Sequence, residues 1–309
     1  MQLDLSSPNR EPELLKSYID DFQGSLSDQH YASGLTGSGY PLEVSFTNQS
    51  EQPRYTIDPY CLSLPADKRL QATIGLVKRD FQIDIGRERL KWLKTLQPRS
   101  PNYGAWLGLR EKLGKITAKF YIEVDPSREQ EHWPEFSSLQ PYDRCLTMLG
   151  YTPNLDSQKP GGYELYYRSR NIHPLLFPSL LSPINAVEYA DKLQSEIENI
   201  HGRKLKDRLP GGSTGFSYAI DSTGKATSLT LFIFCRSLFG RDRQTRFRFE
   251  QLIKSQGLRA DNYLKLTESS LTNLSVNTQH GISAITISSQ GEIVHGVGFC
   301  PAQRRDNDC

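Results

Sequence analysis

Tyr40-Pro41-Leu42-Glu43-Val44-Ser45-Phe46-Thr47 alternates apolar Leu42, Val44 and Phe46 with polar Glu43, Ser45 and Thr47, the period of a half-buried strand. One face is oily and the other carries a carboxylate. A polar turn over 48–53 leads into Arg54-Tyr55-Thr56-Ile57-Asp58-Pro59, where Arg54, Thr56 and Asp58 share one parity and Tyr55 and Ile57 the other. The two runs form a hairpin charged on one side. From Thr117 to Asp125, Lys119, Tyr121 and Glu123 alternate with Ala118, Phe120, Ile122 and Val124. Taken singly, each strand reads equally well as part of a sandwich with its polar face in water. The recurrence of Glu, Arg and Lys-x-Tyr beside tyrosines points instead to a closed barrel, with polar faces lining a chamber suited to an anionic ligand and apolar faces covered by helices.

Composition narrows the function classes. The chain of 309 residues and 35.1 kDa is long enough for two domains, but closed barrels of this size stand as one and no linker divides it; a single domain over 1–309 is expected. Net charge +2 and a pI near 8.2 are too even for a nucleic-acid surface. The most basic run, Arg241 to Arg248, contains Asp242 and is followed by Glu250, as a solvated helix start would be. Mean hydropathy of -0.55 and the lack of an 18-residue apolar stretch argue against a membrane span. The N-terminal stretch, with Asp4, Glu11 and Glu13, has no signal-peptide core, so a soluble, cytoplasmic protein is expected. The five cysteines (Cys61, Cys145, Cys235, Cys300, Cys309) include no Cys-x-x-Cys pair, and the six histidines show no ligand spacing; neither set suggests a metal centre.

Along the chain, helices are predicted over Glu11–Phe22, Pro65–Phe81, Arg87–Leu96, Asn102–Leu113, Gln140–Gly150, Ile184–His201, Gln244–Gln256 and Asp261–Asn273 from apolar spacing. Further hairpin strands are predicted at Tyr163–Arg170, Thr214–Asp221 and Thr227–Ser237, with a last hairpin closing the chain. Gly34 to Gly39 lacks the Lys-Ser/Thr ending of a phosphate loop and precedes a strand, so it reads as a turn. Helices between strand pairs are what an α+β barrel of αββα units shows, whereas a parallel α/β sheet has single strands between helices.

Three segments carry a family resemblance: Pro41-Leu42-Glu43-Val44-Ser45-Phe46, then Arg54-Tyr55-Thr56-Ile57-Asp58-Pro59, then Lys119-Phe120-Tyr121. In that order and spacing they resemble the indole prenyltransferases of the αββα-barrel class, dimethylallyltryptophan synthase and relatives. Gln279-His280-Gly281-Ile282-Ser283 and Gly298-Phe299-Cys300-Pro301 resemble that family's last hairpin. The length is similar to that of the compact bacterial members, among them enzymes that decorate hapalindole-type cyanobacterial alkaloids. The resemblance implies a closed antiparallel barrel with a polar lumen inside a ring of helices. It also implies transfer of a dimethylallyl or geranyl group from its diphosphate to a carbon of an indole acceptor. No cofactor is required by the resemblance.

Specific roles follow from that resemblance. Arg54 and Lys119, with Tyr121, Tyr166 and Arg168, are expected to hold the diphosphate and stabilise the charge that develops as it leaves. Tyr218, Phe232 and Phe234 are expected to shield the allyl cation, a cation–π contribution of about 0.5–2 kcal/mol each. Glu43 is expected to accept the indole N–H and fix which carbon faces the cation. One departure stands out: where fungal relatives carry basic residues before a strand tyrosine, this chain has Tyr163, Glu164 and Leu165. The loss of positive charge suggests stimulation by Mg2+, with Asp58 or Glu123 as anchors. The rival reading is a non-catalytic, lipocalin-like barrel for a hydrophobic small molecule, whose lumen would be mostly apolar.

Overall fold

The alternation seen at Leu42–Thr47 recurs in ten strands, which close on themselves in the computed structural model: β1 (Leu42–Thr47), β2 (Ser50–Ile57), β3 (Ala105–Lys112), β4 (Lys115–Glu123), β5 (Cys145–Thr152), β6 (Gly162–Ser169), β7 (Thr214–Ile220), β8 (Ala226–Phe234), β9 (His280–Ser288) and β10 (Ile293–Phe299). Each is antiparallel to its neighbours. The order around the barrel is β1-β10-β9-β8-β7-β6-β5-β4-β3-β2, and closure pairs Val44 with Phe299, Ser45 with Gly298 and Phe46 with Val297. The structure describes residues 10–26, 33–61, 63–137, 143–154, 161–170, 172–211, 214–271 and 278–301.

The outward faces are the core. Leu42, Val44 and Phe46 on β1, Leu107 and Leu109 on β3, and Phe120 and Ile122 on β4 are buried, each such side chain contributing on the order of 1.5–3 kcal/mol. The cover is a set of helices, α1 (Arg10–Gly24), α2 (Ala66–Phe81), α3 (Arg87–Leu96), α4 (Ala190–His201), α5 (Asp242–Ser255) and α6 (Asp261–Leu266), joined by shorter turns. Helix α2 buries Leu70, Thr73, Ile74 and Val77, the stripe its sequence predicts. It packs with α1 over β3 and β4, while α6 covers β2.

Two segments expected to be helical are strands. Residues 105–112 form β3 and turn into β4 at Leu113-Gly114, both with positive φ (55° and 76°). A two-residue hairpin turn of this kind normally announces itself by Asn or Asp before Gly. Leu113 gives no such signal, and Trp106, Leu109 and Leu113 mimic helical spacing. In 140–150, residues 140–142 lie outside the described residues, and Cys145–Gly150 belongs to β5. There the ladder shifts register between Leu146 and Met148. The bulge places the buried Leu146 and Leu149 three residues apart, a helical interval produced by a strand irregularity.

Candidate active site

The inward parity collects the polar residues. A cavity of about 790 Å³ is lined by Glu43, Arg54, Lys119, Tyr121, Glu164, Tyr166 and Phe232, among others, a size within the ordinary range for small-molecule sites. Register explains the grouping. Glu43 lies opposite Thr56, Thr56 opposite Gly108 and Gly108 opposite Lys119, so one row runs round the wall from carboxylate to ammonium. The next row runs Ser45, Arg54, Arg110, Thr117.

Lys119 does not stand straight off its strand. It crosses β5 to form an ion pair with Glu164 on β6, and its Nζ also donates to Tyr166 Oη at 2.9 Å. The crossing passes over Gly150, where a Cβ would run into the Lys119 side chain and approach Tyr166 Cε2 to 3.1 Å; glycine there is a requirement of close approach. Tyr166 Oη donates to Glu164 at 2.8 Å, and Ser217 Oγ donates to the other Glu164 oxygen. Burial is the largest single influence on Lys119 and opposes its charge, but Glu164 and Tyr121 together outweigh it and hold the ammonium above its ordinary value; burial likewise opposes the charge on Glu164, and Lys119 leads the contacts that hold the carboxyl below its own. Both directions describe an ionised pair.

Around it is an aromatic cluster. Tyr166 stacks on Phe232 with ring centroids 5.8 Å apart and meets Tyr121 edge-on at 5.9 Å. Lys119 Nζ lies 5.1 Å from the Tyr121 centroid and 5.3 Å from that of Tyr166.

Glu43 is different. Among the described residues no hydrogen bond or ion pair reaches its carboxylate, and burial alone pushes its carboxyl up to about 7. It lies over Gly298 of the neighbouring β10, where a Cβ would come within 2.5 Å of an Oε. Backbone without a side chain thus provides the recess that holds an unpaired carboxylate inside the chamber. The hairpin ion pair between Glu43 and Arg54 that cross-strand geometry permits is not formed.

Arg54 and Arg110 face each other across β2 and β3. Both line the cavity. Burial, then the charge of Arg110, lowers the affinity of the Arg54 guanidinium for its proton. Arg110 Nε donates to Thr117 Oγ1 at 3.2 Å. Because 102–113 reads as helix, Arg110 is missed by sequence reasoning; the alternation of Trp106, Gly108 and Arg110 against Ala105, Leu107 and Leu109 was the available signal.

Other expected site residues lie at the rim or outside. Arg168, near the end of β6, is exposed and lines the cavity where β1 begins; Phe234, last on β8, lines the same rim and is 40% exposed. Tyr218 is a correction. It has the outward parity, opposite Leu165 and Leu229, is fully buried, and donates its hydroxyl to Leu180 O at 2.7 Å. It pins the 177–181 helix to the barrel wall and cannot face a ligand in the lumen. Asp58 and Glu123 are also corrections, because neither lines the cavity. Asp58 accepts from Ser33 Oγ at 2.9 Å and pairs with Arg69 at 3.3 Å. Glu123 accepts from the backbone N–H groups of Asn102, Tyr103 and Gly104 and from Asn102 Nδ2, which occupies its oxygens in shaping the turn before β3. Among the described residues no group of three or more His, Cys, Asp or Glu is arranged to hold a metal ion. No helix among them is long and apolar enough to cross a membrane.

No protein-family model and no curated protein sequence matches the chain. Solved structures do. The prenyltransferase PriB superposes with a TM-score of 0.71 over 94% of this chain and 89% of its own, at 16% identity. The 5-dimethylallyl tryptophan synthase of Streptomyces coelicolor, in complex with DMASPP and Trp, gives 0.72 over 95% and 89%, at 14% identity. AnaPT from Neosartorya fischeri gives 0.59 over 89% and 82%, at 13% identity. Identity this low speaks to architecture. The closed ten-stranded wall, its helical jacket and these superpositions agree that the chain has the αββα-barrel fold of these solved structures.

Proposed function

We propose that the protein is an aromatic prenyltransferase that moves an allylic group, dimethylallyl or geranyl, from its diphosphate to a carbon of an indole acceptor. The observation that carries this reading is the lumen itself: a carboxylate unpaired among the described residues, a Lys–Tyr–Tyr–Phe cluster and guanidinium groups share one chamber. In the reaction the allylic C–O bond breaks with its electron pair going to the diphosphate, the indole's π pair forms the new C–C bond to the allyl cation, and the C–H proton lost as the ring regains aromaticity passes to the released diphosphate. Arg54, Lys119 and the hydroxyls of Tyr121 and Tyr166 stabilise that charge, and Arg168 adds to it from the rim. The faces of Tyr121, Tyr166 and Phe232 shield the cation from water. Glu43 accepts the indole N–H, which orients the ring and enriches it for attack.

The chamber also favours a neutral acceptor, such as an indole alkaloid, over a free amino acid. Among the described residues of β7 to β10 the cavity wall is built from side chains such as Ser228, Thr230, Phe232, Ala284 and Thr286 and includes no ionisable group. A zwitterion resting there would lose its hydration without receiving counter-charges. A non-catalytic barrel for a hydrophobic ligand fits less well, because this lumen holds Glu43, Arg54, Arg110, Lys119 and Glu164. Stimulation by Mg2+, if present, acts on the diphosphate rather than through Asp58 or Glu123; EDTA leaving the rate unchanged excludes it.

The test is incubation with dimethylallyl or geranyl diphosphate and a panel of neutral indoles and tryptophan, followed by mass spectrometry. The expected result is one added prenyl group on a neutral indole. Intact donor with every acceptor would overturn the reading.

A further inference from the structure

The lumen contains three cationic side chains on β2 to β4, and they are not equivalent. Lys119 is neutralised from within the chamber by Glu164, whose remaining contacts come from Tyr166 and Ser217. Arg54 and Arg110 stand opposite one another on adjacent strands, and no carboxylate contacts either among the described residues. Like charges placed side by side on a sheet repel, and burial sharpens the repulsion. Arg54 shows both effects, burial first and Arg110 second. Arg110 is anchored by Nε on Thr117, its Nη groups make no hydrogen bond among the described residues, and the residue lines the cavity. Two adjacent guanidiniums that no carboxylate touches among the described residues, beside a Glu164 that acts on Arg54 from a distance and gives its direct contact to the neighbouring lysine, form an incomplete anion site.

We infer that Arg110 is the second guanidinium of the anion site, gripping a diphosphate together with Arg54, and that Glu164 is a positioning residue that holds Lys119 across β5 and limits how tightly the anion binds. Two planar forks on one ladder row suit an anion with several oxygens on adjacent phosphorus atoms, because each fork takes two oxygens at once. Glu164 then has a specific effect. It offsets one positive charge in the chamber, so the multiply charged leaving group is held firmly enough to depart from carbon and loosely enough to be released. The identity of the anion rests on the donor reading above; the pairing of Arg54 with Arg110 does not.

The experiment is titration of the full-length protein with inorganic pyrophosphate by calorimetry at fixed salt, in parallel with a transfer assay on the same preparations. Arg110→Ala is expected to weaken pyrophosphate by about tenfold or more. Arg110→Lys, which keeps the charge and loses the fork, should fall between it and the parent. Glu164→Gln is expected to tighten pyrophosphate by about threefold or more, because it frees Lys119 and removes a repelling carboxylate; a merely structural role cannot raise affinity. Pyrophosphate affinity within about twofold of the parent in Arg110→Ala, affinity in Arg110→Lys equal to the parent's, or unchanged or weakened binding in Glu164→Gln, overturns the inference. The two readings fail separately. Transfer by the parent with no pyrophosphate defect in the Arg110 variants leaves the reaction standing and removes Arg110, whereas the expected binding changes without transfer to any acceptor leave the anion site standing and remove the reaction.

Discussion

The wall of the chamber has two halves that share a backbone geometry and differ in chemistry. From β1 to β6 it carries Glu43, Arg54, Arg110, Lys119, Glu164 and Arg168. From β7 to β10 its described lining holds hydroxyls, small side chains, Phe232, Phe234 and Ile282, and no charge. A closed sheet gives both halves the same alternation and the same shielding from water, so the difference is one of sequence alone. It divides the labour of a two-substrate reaction. Charge is developed and held on one half, and a neutral ring is brought against the other, with Glu43 at the seam between β1 and β10.

The largest effect expected on the charged half is that of Lys119→Ala. Transfer should fall by about 10²–10³-fold, the usual loss when a group stabilising developing charge is removed. The same change strands Glu164, so Lys119→Ala with Glu164→Gln should recover thermal stability without recovering the rate. Next is Glu43→Ala, for which a loss of about 10–100-fold is expected together with altered regiochemistry by product analysis. The ionised carboxylate is the stronger acceptor for the indole N–H and the form that enriches the ring. With its carboxyl pushed up to about 7 by burial, the rate of the parent should rise with pH through about 7 and then level off, a limb that Glu43→Gln should lack. On the uncharged half, Ala284→Phe should raise the acceptor KM by about tenfold while the donor KM stays within about twofold, measured by steady-state kinetics. Comparable changes in both constants would break the division between the halves.

Smaller effects concern stability. The Glu43 carboxyl moves from 4.5 to about 7 on folding, so the folded chain binds this proton more readily than the unfolded chain. Its stabilising preference for the protonated form is present below about pH 4.5 and is lost as pH rises through about 7. Glu43→Gln should therefore stabilise the protein by about 1–3 kcal/mol at about pH 8 and by nothing measurable at about pH 4, read from urea unfolding. Phe234→Ala, at the exposed rim, should change acceptor KM by about threefold or less and leave stability within about 0.5 kcal/mol.

Legibility differed from strand to strand. On β1, β2 and β4 the strict period of two placed Glu43, Arg54, Lys119 and Tyr121 on one face, and the structure puts all four in the chamber. Where the period was disturbed, reading failed. The Leu113-Gly114 turn hid β3 and with it Arg110, and the β5 bulge hid Gly150, whose missing side chain lets Lys119 reach Glu164. Tyr218 shows another limit. A run of Phe216, Ser217 and Tyr218 tells that faces alternate, but aromatic residues occupy the outer face here and Ser217 the inner one, so aromaticity was a poor guide to the lumen. Asp58 and Glu123 had the right parity but sit at strand ends, where tilt and turns reassign a side chain to backbone amides or to Arg69.

The most direct test of the division is a ternary-complex structure with a thiolodiphosphate analogue of the donor and a neutral indole. The diphosphate is expected against Arg54 and Lys119, and the ring against β8 to β10 with its N–H on Glu43. A diphosphate resting on the β7 to β10 wall, or an indole whose N–H points away from Glu43, would contradict that division.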